Sequence, residues 1–349
     1  MHDSSGHTLL QAGTKLTPAY IASLRERGYR TVYAANELAP DLVPRDAVRE
    51  ETRTRATQIV RSTLDKAVRG AGQVELPVLR EVVDQILIDL RGNSDFSFTV
   101  SNLRSVDEYT FVHSVNVCIY SLILGVSMAY DDVAMRQLGL GALLHDIGKM
   151  NYLELVARPG PLSPEEFKLL EGHTTDGYEM LRQHDGFPLF SAHVAYQHHE
   201  RLDGSGYPRG LRDEQILPFA RIAAIADIFD AMTADRPYKG AMPLHEAMAI
   251  VLAQANTKLD GYLARQFSQR VAIFPAGSLV LLRNGCVAVV AEQSERGPHQ
   301  PRVRVLTDRA RHLLPDPHEI VAEADNAVHL VLADYPSEIR RQMAEVAPG

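Results

Sequence analysis

The sequence predicts a multidomain protein: a central all-α domain, a small α/β unit before it and a small β-rich domain after it. Three observations carry this. From Asp107 to about Phe267 apolar residues recur at helical spacing throughout. After Val271 the texture changes to short β-branched runs broken by turn residues. Near the start, one helix signal lies between two short strand-like runs. A chain of 349 residues is also too long for one small core. The boundaries we read are 1–45 for the N-terminal unit, 46–95 for connecting helices, 96–270 for the helical domain and 271–349 for the β-rich domain.

In order along the chain, His7-Thr8-Leu9-Leu10 reads as a short strand ending at a Gly13 turn. Thr17-Pro18 opens a helix, Thr as cap and Pro at the first helical position, and Gly28 ends it. Thr31-Val32-Tyr33 reads as a second strand, and Pro40 and Pro44 mark a linker. Ile59, Val60, Leu64 and Ala67 give one connecting helix, and Val78, Val82, Val83, Ile86, Leu87 and Leu90 another, stopped at Arg91-Gly92-Asn93. Ser163-Pro164-Glu165-Glu166 carries the capping-box signature, and His173 is expected on the helix it starts. Leu279–Leu282, Asn284-Gly285 and Val287–Val290 read as a hairpin with a type I′ turn, and Val303–Leu306 as a third strand.

Composition narrows the function. Hydrophobic residues make up 45% and charged ones 23%, ordinary for a globular protein. A formal net charge of -8 argues against coating a nucleic-acid polymer, which calls for a basic excess. Cys118 and Cys286, far apart, offer neither a disulfide framework nor a zinc knuckle and read as buried thiols in a reducing compartment. The polar start Met1-His2-Asp3-Ser4-Ser5 lacks a signal peptide's apolar core. The apolar stretch Val115–Ala129 is interrupted by Asn116, Ser121 and Ser127 and falls short of the roughly 20 residues of a membrane span, so it reads as a core helix. A cytoplasmic protein is expected.

The chemistry sits in five of the 14 histidines. His113 lies near the start of an apolar helix. His145-Asp146 ends the apolar run Leu138–Leu144, just before Ile147-Gly148-Lys149. His173 follows, and His198-His199 closes the helix that starts near Phe190. Asp227 sits within Ile222–Phe229, apolar on both sides. An ionised carboxylate so placed is strongly disfavoured unless paired or bound to a cation. Several imidazoles and two such carboxylates resolve this around divalent metal. Donors of this kind without thiolate favour iron or manganese, with zinc admissible. A bridged pair of ions clamps both oxygens of a phosphoryl displacement. Taken singly, a buried histidine is more often a hydrogen-bonded core residue, and the spacing alone also fits a structural metal or none.

The motifs are more specific. Leu144-His145-Asp146-Ile147-Gly148-Lys149 resembles the signature of the HD phosphohydrolase superfamily. His198-His199-Glu200-Arg201-Leu202-Asp203-Gly204-Ser205-Gly206-Tyr207-Pro208 resembles that of its HD-GYP branch. Asp227-Ile228-Phe229-Asp230-Ala231-Met232, Asp235–Lys239 and Tyr109-Thr110 before His113 fit it too. The likeness covers about residues 100 to 270. It implies an all-α HD-type catalytic domain that hydrolyses cyclic di-GMP to linear pGpG and on to GMP. By position, His113, His145, Asp146 and Asp227 would hold one metal, and Asp146 would bridge to a second held by His173, His198 and His199. Lys149 and Asp146 would carry the catalysis, Lys149 facing one phosphate while Arg236 and Lys239 contact the other. Three-metal members use a Glu where this chain has Tyr109, so two metals are expected. Tyr207 would stack on a guanine, close the mouth, or form with its loop a docking surface for a signalling protein. Glu200 and Asp203 would orient the histidines, and Asp230, on the face of Asp227, would steady a ligand. A homodimer is compatible with this reading. The alternatives are hydrolysis of another cyclic dinucleotide, and a non-catalytic receptor or docking module.

Overall fold

The computed structural model describes residues 10–11, 14–26, 38–42, 46–68, 74–93, 100, 109–158, 160–234, 241–332 and 334–346. Helix α1 spans Pro18–Glu26, where the Thr-Pro start places it. The two strands expected around it fall largely outside the described residues. Helices α2 (Glu50–Val68) and α3 (Leu76–Gly92) follow. They do more than connect. Val60 and Leu64 of α2 and Leu79, Val83 and Ile86 of α3 are buried in the same apolar core as the helices after them.

That core centres on α4 (Tyr109–Ser127). Val115, Cys118, Ile119, Leu122 and Ile123 are wholly buried. By length and composition α4 is the one helix among the described residues able to cross a membrane, but 78% of its apolar window is buried inside the protein. Helix α5 (Asp132–Leu143), started by Asp131 accepting the Ala134 amide at 2.8 Å, packs along it. A 3-10 segment, Ile147–Tyr152, leads into α6 (Leu153–Ala157), then α7 (Pro164–Leu170), α8 (His173–Arg182) and α9 (Leu189–Gln197). The capping box at Ser163 forms as read, with Glu166 Oε2 accepting the Ser163 amide at 2.8 Å. The helix it starts, however, ends at Leu170, and His173 opens the next one. Helices α10 (Pro218–Thr233), α11 (Leu244–Ala253) and α12 (Gly261–Arg270) complete the helical body, α10 lying against α4.

The chain ends in an antiparallel sheet: β1 (Leu279–Leu282), β2 (Val287–Glu292), β3 (Arg302–Thr307), β4 (Leu313–Val321) and β5 (Val328–Val331), in the order β4-β3-β2-β1-β5. Alternate residues point to opposite faces. Val280, Leu282, Ala288, Val290, Val303 and Val305 join the apolar core of the helices. Leu279, Val287, Val289 and Leu306 face the other way, onto Ala39 and onto Ile339 of α13 (Ser337–Val346). Both faces are covered, which explains why β1 and β2 read as unbroken apolar runs. Segment 38–42, read as linker, is part of this cover: Ala39 is fully buried, and Arg304 holds Asp41 through two bonds of 2.7 and 2.8 Å. The β1–β2 turn also differs from the reading. Only Gly285 has positive φ (92°), and its amide bonds the Leu282 carbonyl, the geometry of a type I turn closed by a left-handed glycine. A type I′ turn needs Asn284 at positive φ as well.

Candidate metal centre

Three of the histidines are mounted in the same way. The last carbonyls of a helix lack intrahelical partners. His145 Nδ1 donates to Ala142 O at the end of α5 (2.8 Å), and His173 Nδ1 to Leu170 O at the end of α7 (2.7 Å). His198 Nδ1 lies 3.0 Å from both Val194 O and Ala195 O at the end of α9. Each contact is to a carbonyl at a helix end and fixes the tautomer, so the lone pair is on Nε2. Those three Nε2 atoms are buried and have no hydrogen-bond partner, and neither has Asp146 Oδ1.

They converge on Asp146, which is 2% exposed. Its Oδ1 faces His173 Nε2 at 3.4 Å and His198 Nε2 at 3.6 Å. Its Oδ2 faces His145 Nε2 at 3.3 Å and His113 Nε2 at 3.8 Å. Asp227 Oδ1 lies 3.2 Å from His113 Nε2, and its Oδ2 3.7 Å from His199 Nδ1. Two groups of potential ligands result, Asp146 with His173, His198 and His199, and His113 with His145 and Asp227; within each the ligand atoms lie within 4.8 Å of one another. Buried lone pairs left unpaired cost free energy. Four of them aimed inward, three imidazole nitrogens and an Asp146 oxygen, beside the Asp227 carboxylate, fit divalent cations.

Protonation agrees with this at Asp146, Asp227, His198 and His199. Burial opposes charge on both carboxylates, yet the cations and imidazoles beside them prevail and hold Asp146 and Asp227 well below the usual carboxylate range. Burial pushes His198 down to about 4 and holds His199, beside His198, well below the ordinary imidazole value. For His113 burial works against charge, but hydrogen bonds to Asp227 and Asp230 lift its pKa to about 9. Ionised carboxylates and neutral imidazoles are the ligating forms, so a cation bound at His113 must displace its second proton.

Lys149, on the 3-10 segment, extends its ammonium to 2.5 Å from Asp146 Oδ2 and is 22% exposed, open on its outer side. Tyr207 brings its ring centroid to 4.7 Å from that of His199 and 6.1 Å from that of Phe167. Arg236 and Lys239 lie outside the described residues. So does the side chain of Tyr109.

Two second-row expectations change. Glu200 is buried, and its carboxylate turns to the loop that follows. Its carboxylate accepts the amides of Arg209 and Leu211, both at 2.9 Å, and so pins the Gly-Tyr-Pro loop. Asp203 accepts the Ser205 amide within that loop. Glu200→Ala is therefore expected to destabilise the protein by about 1–3 kcal/mol, the buried Leu211 amide and the part-buried Arg209 amide losing their acceptor. Denaturant unfolding and proteolysis at 204–210 measure this, and a wild-type midpoint would refute it. The residue that orients a histidine is Asp230, whose Oδ2 accepts from His113 Nδ1 at 2.7 Å. Its Oδ1 accepts from Asn116 Nδ2 at 2.8 Å. Sequence reading passed over Asn116, noting it only as a break in an apolar stretch. Its position three residues after His113, on one helical face, was the available signal.

Comparison with known proteins agrees with this geometry. Residues 103–263 match the HD domain family. A cyclic di-GMP phosphodiesterase of Pseudomonas aeruginosa is 38% identical over 242 residues, 69% of this chain and 58% of that protein. Residues 103–263 are an HD domain of the HD-GYP family. A cyclic di-GMP phosphodiesterase of Thermotoga maritima is 41% identical over 160 residues, 44% of each chain. A 3′3′-cGAMP-specific phosphodiesterase of Vibrio cholerae is 38% identical over 153 residues, 44% of this chain and 33% of that one. The chain thus spans less than two thirds of the length of each of these relatives.

Proposed function

We propose that this HD-GYP protein is a metal-dependent phosphodiesterase that hydrolyses cyclic di-GMP to linear pGpG and on to GMP at a two-cation centre. The observation that carries this reading is Asp146, whose two oxygens face two separate sets of imidazoles. In it, His113, His145, Asp146 and Asp227 hold one cation, and Asp146, His173, His198 and His199 the other. Imidazole with carboxylate, and no thiolate, suits iron or manganese. A bound cation pair lowers the pKa of water and offsets the charge building on the phosphoryl oxygens.

The chain's own residues do the rest. Lys149 Nζ, already at the Asp146 carboxylate, donates to a non-bridging phosphoryl oxygen and steadies its negative charge. Tyr207, ring against His199, forms one wall of the mouth and offers its face to a guanine. Burial pushes its phenol well above the ordinary value, so it stays protonated and able to donate. Arg236 and Lys239 are assigned to the second phosphate by their place in the motif. Glu200 keeps the loop that carries Tyr207 in position.

A second substrate is favoured by one specific observation, the 38% identity to a 3′3′-cGAMP-specific enzyme. The test is turnover of cyclic di-GMP and 3′3′-cGAMP, side by side, by full-length protein prepared without oxygen and loaded with iron or manganese. Linear dinucleotide formed only in loaded protein, and lost on chelation, is the expected result. Absence of turnover of both, in protein whose metal content has been verified, would sink the proposal.

A further inference from the structure

The bond from Asn116 to Asp230 is one link of a longer chain. Asn116 Oδ1 accepts from Arg53 Nη1 of α2 at 2.6 Å. Arg53 Nη2 donates to Asp46 Oδ1 at 2.8 Å. In order the chain runs Asp46, Arg53, Asn116, Asp230, His113, Asp227, crossing from α2 through α4 to α10. Asn116 and Asp230 are fully buried, while the side chains of Arg53 and Asp46 are 12% and 25% exposed. Arg53 and Asp46 lie well before residue 103, where the HD match begins.

The polarity of the chain is self-consistent. A carboxamide has one accepting end and one donating end. The guanidinium takes the oxygen of Asn116, which turns its NH₂ toward Asp230. Asp230 is then fixed by Asn116 on one oxygen and receives His113 Nδ1 on the other. That bond sets the plane of the His113 ring and presents Nε2 toward Asp227 and Asp146. The Arg53 guanidinium thus helps to set which end of the Asn116 amide meets Asp230.

We propose that Arg53 is a positioning residue for the metal centre: through Asn116 and Asp230 it fixes His113, so that helix α2, outside the HD match, is part of the mounting of a metal ligand. Movement of α2 therefore changes the affinity of the centre for its cation. This rests on the metal-centre reading above, and the test separates the two.

Full-length wild type, Arg53→Met, Arg53→Lys and Asp46→Asn are titrated with manganese(II), free ion being followed by its paramagnetic resonance, and with cobalt(II), followed by its visible absorption. The expected result is manganese affinity about 10- to 100-fold weaker in Arg53→Met, the usual cost of losing an outer partner of a ligand. The cobalt spectrum changes with it, and Arg53→Lys recovers part of the loss. Asp46→Asn, at the half-exposed outer end, moves both readouts in the same direction by a smaller factor. It carries the test if Arg53→Met does not fold. Wild-type affinity and an unchanged cobalt spectrum in Arg53→Met, or in Asp46→Asn alone should the other not fold, overturn the proposal. Wild type that binds neither ion overturns the metal-centre reading itself.

Discussion

Asp146→Asn is expected to leave a folded protein that binds no cation pair and hydrolyses cyclic dinucleotide at least about 10³-fold more slowly, a loss of about 4 kcal/mol of transition-state stabilisation. The substitution preserves shape and removes one charge. It acts on both ligand groups at once, because Oδ1 faces His173 and His198 while Oδ2 faces His145 and His113. An amide offers one weak acceptor and turns an NH₂ toward imidazole lone pairs on the other side. It also leaves the Lys149 ammonium, 2.5 Å from the carboxylate in the wild type, without its counterion. Elemental analysis, circular dichroism and turnover on one preparation decide the matter. Full metal content with near-wild-type turnover would mean that Asp146 is not the bridge.

Gly148→Ala should be among the most damaging small substitutions at the described glycines. A Cβ there would sit 2.0 Å from the His173 carbonyl oxygen and 2.6 Å from the Gly177 amide nitrogen. Both are backbone atoms of α8, so no side chain can swing aside and α8 must move. Overpacking of this kind costs about 3 kcal/mol. The displacement carries His173 Nε2 away from Asp146 Oδ1, so the group with His198 and His199 loses a ligand as well. The glycine is thus needed for close approach, not for an unusual φ. We expect a lower denaturant midpoint and fewer metal ions bound per chain. A variant with the wild-type midpoint and stoichiometry would show that the segment and α8 yield more easily than their contact implies.

The helical body was legible because long amphipathic helices repeat their apolar positions, and the metal candidates stood out as polar groups that such helices should not bury. His113, His145, Asp146, His173, His198, His199 and Asp227 were all picked out before any geometry, and the structure brings them together. What could not be read is what depends on distance across the fold. Glu200 was placed beside the histidines because it follows them in sequence, yet its carboxylate turns to Arg209 and Leu211. Asn116 looked like a flaw in an apolar stretch until Arg53 and Asp230 appeared on either side of it. Strand β4, at the sheet edge, has no apolar alternation and carries Pro315 and Pro317, which an edge tolerates and a pattern search discounts. Segment 38–42 read as linker from its prolines, and no sequence signal ties Asp41 to Arg304.

The doubly covered sheet bears on how the protein can be cut. Val280, Ala288, Val290 and Val303 belong to the same continuous oily interior as α10, α11 and α12, while the opposite side is closed by residues around Ala39, far upstream, and by α13. A fragment trimmed to residues 103–263 would lack α2, α3 and the sheet, would bare the helical surfaces that they cover, and would tend to clump, however intact its signature residues. Recombinant versions meant for metal or ligand studies should therefore keep everything from Leu38 to Val346.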